Sequence, residues 1–447
     1  MSGGGGAVSR VAGNTGFLFL RTVLSVATGC LVVRIVLNAL GVTDYGVYVA
    51  VMGVVSVFGT FNGVLQDTAS RFICHAMAGD GGPRAVRDAF SSMLVLAFAF
   101  AALIVLVGET AGRAFLEHRL VLPEESRPAA RFVFQCGVAA MALHAVQLPF
   151  VARIIAGERM RFFLGAGIAG AGLSLAGAWA VASVPRLALE TCAAAETVSG
   201  AAVFAVHVLY CRRRFADVGL DLGFPRAILR REGAFMSLGF LSSVGNVLKY
   251  QCVCILVNLY AGVEFNASWK VALHVWSFLC PLSADFNQAF SPVVFKAWAG
   301  RTGGMGRLIG VTTAVSFALT AVPVLTVIAF APQILSSWLG ASVPPDAVLF
   351  VRCLLPGLVF DAISQPLTTS ILATGRVALY QAVACLISAS GFAASWALLA
   401  SGHPAWMTAG AVAAVNGLGC AYRFAHVRAF VCSSSRPASK GISGFRV

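Results

Sequence analysis

Apolar runs of about twenty residues recur along this 447-residue chain with only short polar breaks between them, and nothing else in the sequence restricts its fold as strongly. At 1.5 Å per residue, each run is long enough to cross roughly 30 Å of hydrocarbon as a helix. A soluble globule is excluded, because 58% of the residues are apolar and 11% charged, too few polar side chains to cover its surface. Twelve membrane helices are predicted, over 15–37, 47–68, 88–108, 131–155, 162–184, 191–210, 234–258, 267–291, 308–331, 347–373, 378–400 and 406–427. A closed barrel would also satisfy every backbone group in lipid, but it needs alternating strands, and these runs are continuous and rich in Ala, Leu and Gly.

The net charge of +14 does not point to nucleic acid, since the basic residues are spread over many short interhelical loops. With the N-terminus inside, about twenty Lys and Arg fall on that side and about five on the other, so both termini are expected in the cytoplasm. No cleavage-site pattern precedes the first run, which is expected to remain as a helix, and no lipidation motif is found.

Two segments echo each other across the chain. "PFVARIIAGERMRFF" (149–163) and "PLTTSILATGRVALY" (366–380) share Pro, Ile, Ala and Arg at 149/366, 154/371, 156/373 and 159/376. "NALGVTDYGVY" from Asn38 and "NLYAGVEFNASW" from Asn258 repeat Asn, Gly-Val and a late aromatic at a shift of 220 to 221. Both shifts approach half the chain length and imply a duplicated six-helix unit; because six is even, the copies run parallel. The expected architecture is all-α, with two parallel-repeat six-helix bundles around a central cavity. The halves are expected at 1–210 and 233–427, joined by the basic linker 211–232 and followed by a cytoplasmic tail, 428–447.

Enzyme and metal signatures are missing. "GAGIAG" (165–170) matches a dinucleotide-binding pattern, but it lies inside a membrane run with no preceding strand and reads as small residues for close helix packing. The seven histidines show no ligand spacing, and the twelve cysteines are scattered mostly within apolar runs, as small buried side chains would be. No cofactor is expected. Asn266-Ala267-Ser268 is formally a glycosylation sequon, taken as coincidence.

The informative residues are charges inside the runs: Arg21, Arg34, Asp67, Lys249, Lys270, Asp285, Arg352 and Asp361. Each costs on the order of 3 kcal/mol at mid-membrane, so these groups are expected to pair or to face water. Arg34, Asp67 and Lys270 could also snorkel toward an interface. Arg21 and Lys249 fall in equivalent first helices of the two halves, which suggests a cationic cavity between the halves suited to an anion. Asp285 and Asp361 are candidates for proton or sodium coupling.

The segment "NTGFLFLRTVLSVATGCLVVRIVLNALGVTDYGVYVAVMGVVSVFGTFNGVLQDTASRF" (14–72) resembles the first two helices of bacterial polysaccharide-biosynthesis flippases. "LPFVARIIAGERM", "NLYAGVEFNASWKVA", "ILSSWLG" and "TGRVALYQ" resemble later blocks of the same family in order, so the likeness covers nearly the whole chain. It departs at Gly157, where relatives often carry histidine. The resemblance implies a flippase of the multidrug/oligosaccharidyl-lipid/polysaccharide exporter superfamily in the bacterial inner membrane. Such a protein moves undecaprenyl-diphosphate-linked oligosaccharide outward for O-antigen, lipopolysaccharide or other surface polysaccharide by alternating access. Its partners would be that lipid-linked sugar, membrane lipids and polysaccharide polymerase machinery, with cationic groups such as Arg21, Arg34, Lys249 and Lys270 facing the cavity. The alternatives are a cation-coupled multidrug or metabolite exporter, a polytopic glycosyltransferase, polymerase or ligase, and a membrane scaffold.

Overall fold

The computed structural model describes residues 4–78, 82–157, 159–184, 187–219, 240–241, 243–299, 305–373 and 377–434. Side chains are described throughout these ranges except at 4–23, 25, 60, 67, 71, 75, 78, 285, 288–293, 295–299, 305, 372–373, 377–378 and 430–434. Among the described residues every regular element is helical: α1 Gly4–Ala78, α2 Gly82–Val107, α3 Arg113–His118, α4 Arg127–Ala156, α5 Met160–Ser183, α6 Ala188–Arg214, α7 Val253–Ala261, α8 Val263–Ala299, α9 Met305–Ala329, α10 Ala331–Leu339, α11 Ala347–Leu354, α12 Pro356–Ala373, α13 Val377–Ala400 and α14 Met407–Ser434.

Nine stretches among the described residues are long and apolar enough to cross a membrane. One of them is the kinked α1, whose two arms make separate crossings. α8, which carries Glu264, Lys270 and His274, and α14, which carries Asn416 and Arg423, have the length but fall outside the nine. Counting the arms of α1 separately and adding these two helices reproduces the predicted number of crossings.

Glycine makes the two matching kinks. Gly41 breaks α1 at φ 75°, ψ 173°, and Gly262 separates α7 from α8 at φ 91°, ψ −177°. That region of backbone space is open essentially to glycine alone. The sequence echo therefore records a shared backbone turn, met at equivalent places in the two halves. Near the other end of the molecule the second echo lies in α4 and α12, with Pro149 and Pro366 inside the last turns of each.

α1 to α6 pack on one another, and α7 to α14 do the same; α4 sits centrally in the first set and α12 in the second. The two sets meet chiefly through α1, which runs against α7, α8 and α10. The core beneath the second turn is aromatic: Trp269 is fully buried and meets Phe350 edge to face at 6.3 Å.

Candidate substrate cleft between the halves

The two glycine turns meet each other. A Cβ built on Gly46 would lie 2.0 Å from the Val263 carbonyl oxygen, so the backbone of the second arm of α1 touches the backbone of the opposing turn. Thr43 donates a hydrogen bond to Glu264 at 3.4 Å, and His274 Nε2 and the Tyr45 hydroxyl share one at 3.1 Å. Asn258, fully buried, receives the Val121 N–H at 3.1 Å and donates to the Val121 carbonyl at 3.2 Å. Ser56 donates to Gln251 at 2.7 Å, and Trp338 Nε1 to the Cys30 carbonyl at 2.8 Å. These contacts join the halves from the turn end inward, and the one described ring contact across them, Phe61 with Phe240 at 5.3 Å, lies ~30 Å from the turns by its spacing from Gly41 and Gly262, near the opposite end.

A polar layer lies within this zone of contact, nearer the turns than the Ser56–Gln251 bond. Lys270 is eight residues beyond Gly262, Tyr48 seven beyond Gly41, Arg34 seven before it and Glu196 eight into α6, so all four sit ~10–12 Å from the turn end. The Tyr48 hydroxyl donates to Glu196 Oε2 at 2.5 Å. Glu196 is close enough to Lys270 for their charges to interact, although no ion pair forms between them. Glu196 is surrounded by protein yet keeps accessible surface. Lys270 is half-buried, interacts with Glu196 and Cys254 only through space, and makes no described hydrogen bond or ion pair. Arg34 is exposed, with a long 3.5 Å contact to the Ser337 carbonyl. Arg34 and Lys270 thus share one layer, one on each side of the junction.

Lys249 is placed elsewhere. It is 8% exposed, donates to Asn416 Oδ1 at 2.7 Å and lies over the Tyr250 ring at 4.7 Å. Its described partners all belong to the second half, so the structure turns it into that half instead of toward the shared cleft. Asp361 is nearby, accepting from the Tyr250 hydroxyl at 3.5 Å, and Arg423 donates to Tyr380 at 2.8 Å and Ser364 at 3.4 Å. Lys249, Asp361, Ser388, Asn416 and Arg423 line a cavity of about 20 Å³, room for a single water. Such a space excludes a sugar and admits at most a small ion.

The first half has its own interior polar pairs. His144, five residues before Pro149 as Asp361 is before Pro366, bonds Asn62 at 2.9 Å, and Gln147 bonds His207 at 2.9 Å. Arg153 forms a two-pronged ion pair with Asp217, at 2.7 and 3.0 Å, under the Phe215 ring. This pair fastens the start of the linker to the end of α4. The side chains of Arg21, Asp67 and Asp285 lie outside the described residues, as do Arg376 and the remainder of the linker beyond Gly219. No group of three or more His, Cys, Asp or Glu among the described residues is placed to hold a metal.

Glu196, Tyr48, Asn416 and Arg423 were not among the expected site residues. Glu196 and Arg423 carried the same signal as Lys270, an ionisable group within an apolar run. Tyr48 and Asn416 carried none, because neutral polar residues are frequent in such helices.

No protein-family model matches the sequence, and no curated protein matches it. Solved structures match its fold. A multidrug resistance MATE family transporter of the MOP superfamily, in an inward-facing conformation, has a TM-score of 0.75 at 14% identity, covering 94% of this chain and 96% of that one. Lipid II flippase MurJ, in an inward closed conformation, gives 0.71 at 13% identity over 93% and 87%. An outward-facing MATE family transporter of the same superfamily gives 0.62 at 13% over 93% and 96%. At these identities the likeness is one of fold: a multi-pass membrane protein built as MOP superfamily transporters are, on a plan shared with transporters and a flippase.

Proposed function

We propose that this protein is a flippase that carries an undecaprenyl-diphosphate-linked oligosaccharide from the cytoplasmic to the outer leaflet of the bacterial inner membrane, for O-antigen or related surface polysaccharide, where polymerase machinery takes it up. One observation supports the reading: Lys270, on α8 of the second half, lies within electrostatic reach of Glu196 of the first half and makes no hydrogen bond or ion pair among the described residues. An unpaired cation at that depth is costly unless it faces water or an anionic ligand, and a diphosphate supplies that ligand. Arg34 adds a second cation to the layer, and Arg21 is assigned to the same basic cleft on its sequence position.

Arginine-rich segments gather at the end opposite the turns, including Arg212, Arg213 and Arg214 closing α6. The positive-inside rule then makes that end cytoplasmic, together with both termini. The turn end is then the outer one, and because the halves also touch through Phe61 and Phe240 near the inner end, opening to the cytoplasm in this scheme parts that contact. Rocking of the first half, 1–210, against the second, 233–427, would expose the layer outward, with the polyprenyl tail remaining in lipid. Asp361, beside Lys249 in the one-water cavity, is the coupling group in this scheme, with Asp285 a second candidate.

A cation-coupled multidrug exporter is a second reading, equally compatible with the fold and favoured by one feature: Glu196 offers a carboxylate to a cationic drug. Proteoliposomes loaded with fluorescent lipid-linked oligosaccharide separate the two. The flippase reading expects translocation that falls at least ~10-fold in Lys270→Gln, the loss of a charge-assisted contact. Transport of a cationic dye with no movement of the lipid-linked sugar would establish the exporter instead.

A further inference from the structure

Lys270 and Glu196 come from different halves yet occupy one layer, and neither has a counterpart in the duplicated unit. At the shift of 221 that aligns Gly41 with Gly262, the position equivalent to Lys270 is Val49. At the shift of 217 that aligns Pro149 with Pro366, the position equivalent to Glu196 is Ala413. Duplication of the fold did not require this charge pair.

The local geometry holds the two charges near each other without joining them. Tyr45 and Tyr48 share a face of α1, as residues three apart do; Lys270 and His274 share a face of α8, four apart. The Tyr45–His274 hydrogen bond fixes these two faces against each other. Tyr48 then holds the Glu196 carboxylate at 2.5 Å, within electrostatic reach of Lys270 but with no ion pair formed. Among the described residues the groups facing Glu196 are Tyr45, Tyr48, Cys192 and Lys270, with His274 beyond, and Lys270 is the permanent positive charge of that set.

We infer that Glu196 is the resident counter-anion of Lys270: it lowers the affinity of the cleft for an anionic headgroup and so lets the headgroup leave after translocation. This rests on the reading of Lys270 as the anion-binding cation. A bare cation would trap a diphosphate in a cleft of low dielectric, whereas a carboxylate tethered to Tyr48 competes continuously for the same ammonium. Glu196 is thus a positioning and release residue that touches the ammonium's field, not the ligand.

Binding of farnesyl diphosphate to the purified full-length protein tests this, alongside translocation in proteoliposomes. Glu196→Gln keeps an oxygen to accept from Tyr48 and removes the charge, so it is expected to bind the probe about tenfold more tightly while translocating more slowly. Lys270→Gln is expected to bind about tenfold more weakly, and in that background Glu196→Gln should no longer tighten binding, since the two residues act on one interaction. If Lys270→Gln binds as the wild type does, the anion-site reading falls. If Lys270→Gln weakens binding but Glu196→Gln leaves it unchanged, or tightens it equally in both backgrounds, only the counter-anion role falls. Should Glu196→Gln not be recovered as a monodisperse protein, Tyr48→Phe frees the carboxylate toward Lys270 and is expected to weaken binding; unchanged or tighter binding there overturns the proposal.

Discussion

Replacing Gly46 with alanine puts a methyl group where the two halves touch most closely. The new carbon would sit 2.0 Å from the Val263 carbonyl oxygen and 2.6 Å from its carbonyl carbon. A carbon and a carbonyl oxygen approach to about 3.3 Å, so the turns must part by about 1.3 Å. The obstacle is backbone at the start of α8, held by its own helix, and no rotamer change removes it. Overpacking of this kind costs about 2 kcal/mol, and because only the closed state bears it, the ratio of open to closed molecules rises about 30-fold. Cys254 reports the change: it is 3% exposed, with its sulfur against Gly53 of the other half. Peptide-resolved N-ethylmaleimide labelling should modify Cys254 at least tenfold faster in Gly46→Ala, with the buried Cys211 within the first half as the internal control. Equal labelling of Cys254 in variant and wild type, with an unchanged melting temperature, would refute a backbone contact between the turns.

Three further substitutions probe the same frame. Asn258→Ala leaves the N–H and carbonyl of Val121 without partners and should lower stability by about 2 kcal/mol, read as a fall in Tm. Gly262→Ala meets no neighbouring atom, so its expected loss of about 1–3 kcal/mol is backbone strain alone; an unchanged Tm would mean the turn can relax. Asp217→Ala strands the Arg153 guanidinium, whose side chain is 9% exposed, and should cost about 3 kcal/mol and open the linker start to limited proteolysis; a resistant linker would show that the pair does not fasten it.

Much of this architecture was legible in the sequence, because the length of an apolar run reports where a helix crosses lipid and a repeated Asn…Gly-Val reports where it turns. Gly41 and Gly262 were visible as an echo before their shared backbone conformation was known. Depth was legible too: Lys270 and Arg34 belong to one level, as their distances along the chain from the two glycines require. Rotation about the helix axis was not. Successive helical residues point about 100° apart, so a shift of one residue separates the cleft face from a face buried in the same half. For that reason Lys249 could be placed in an early helix of the second half, but not inside that half against Asn416. Glu196 lies in an alanine-rich helix, and the rule that singles out Lys270 applies equally to it.

In the proposed scheme the Lys270 ammonium, from the second half, waits between the halves for a phosphate-bearing headgroup. The most direct measurement is a cryo-electron microscopy structure of the protein in nanodiscs with a polyprenyl-diphosphate sugar bound. A diphosphate oxygen is expected within about 3 Å of Lys270 Nζ, with Arg34 on the same level and the sugar extending toward the cytoplasmic end. A diphosphate resolved outside the junction of the halves, with Lys270 unchanged and unliganded, would contradict it.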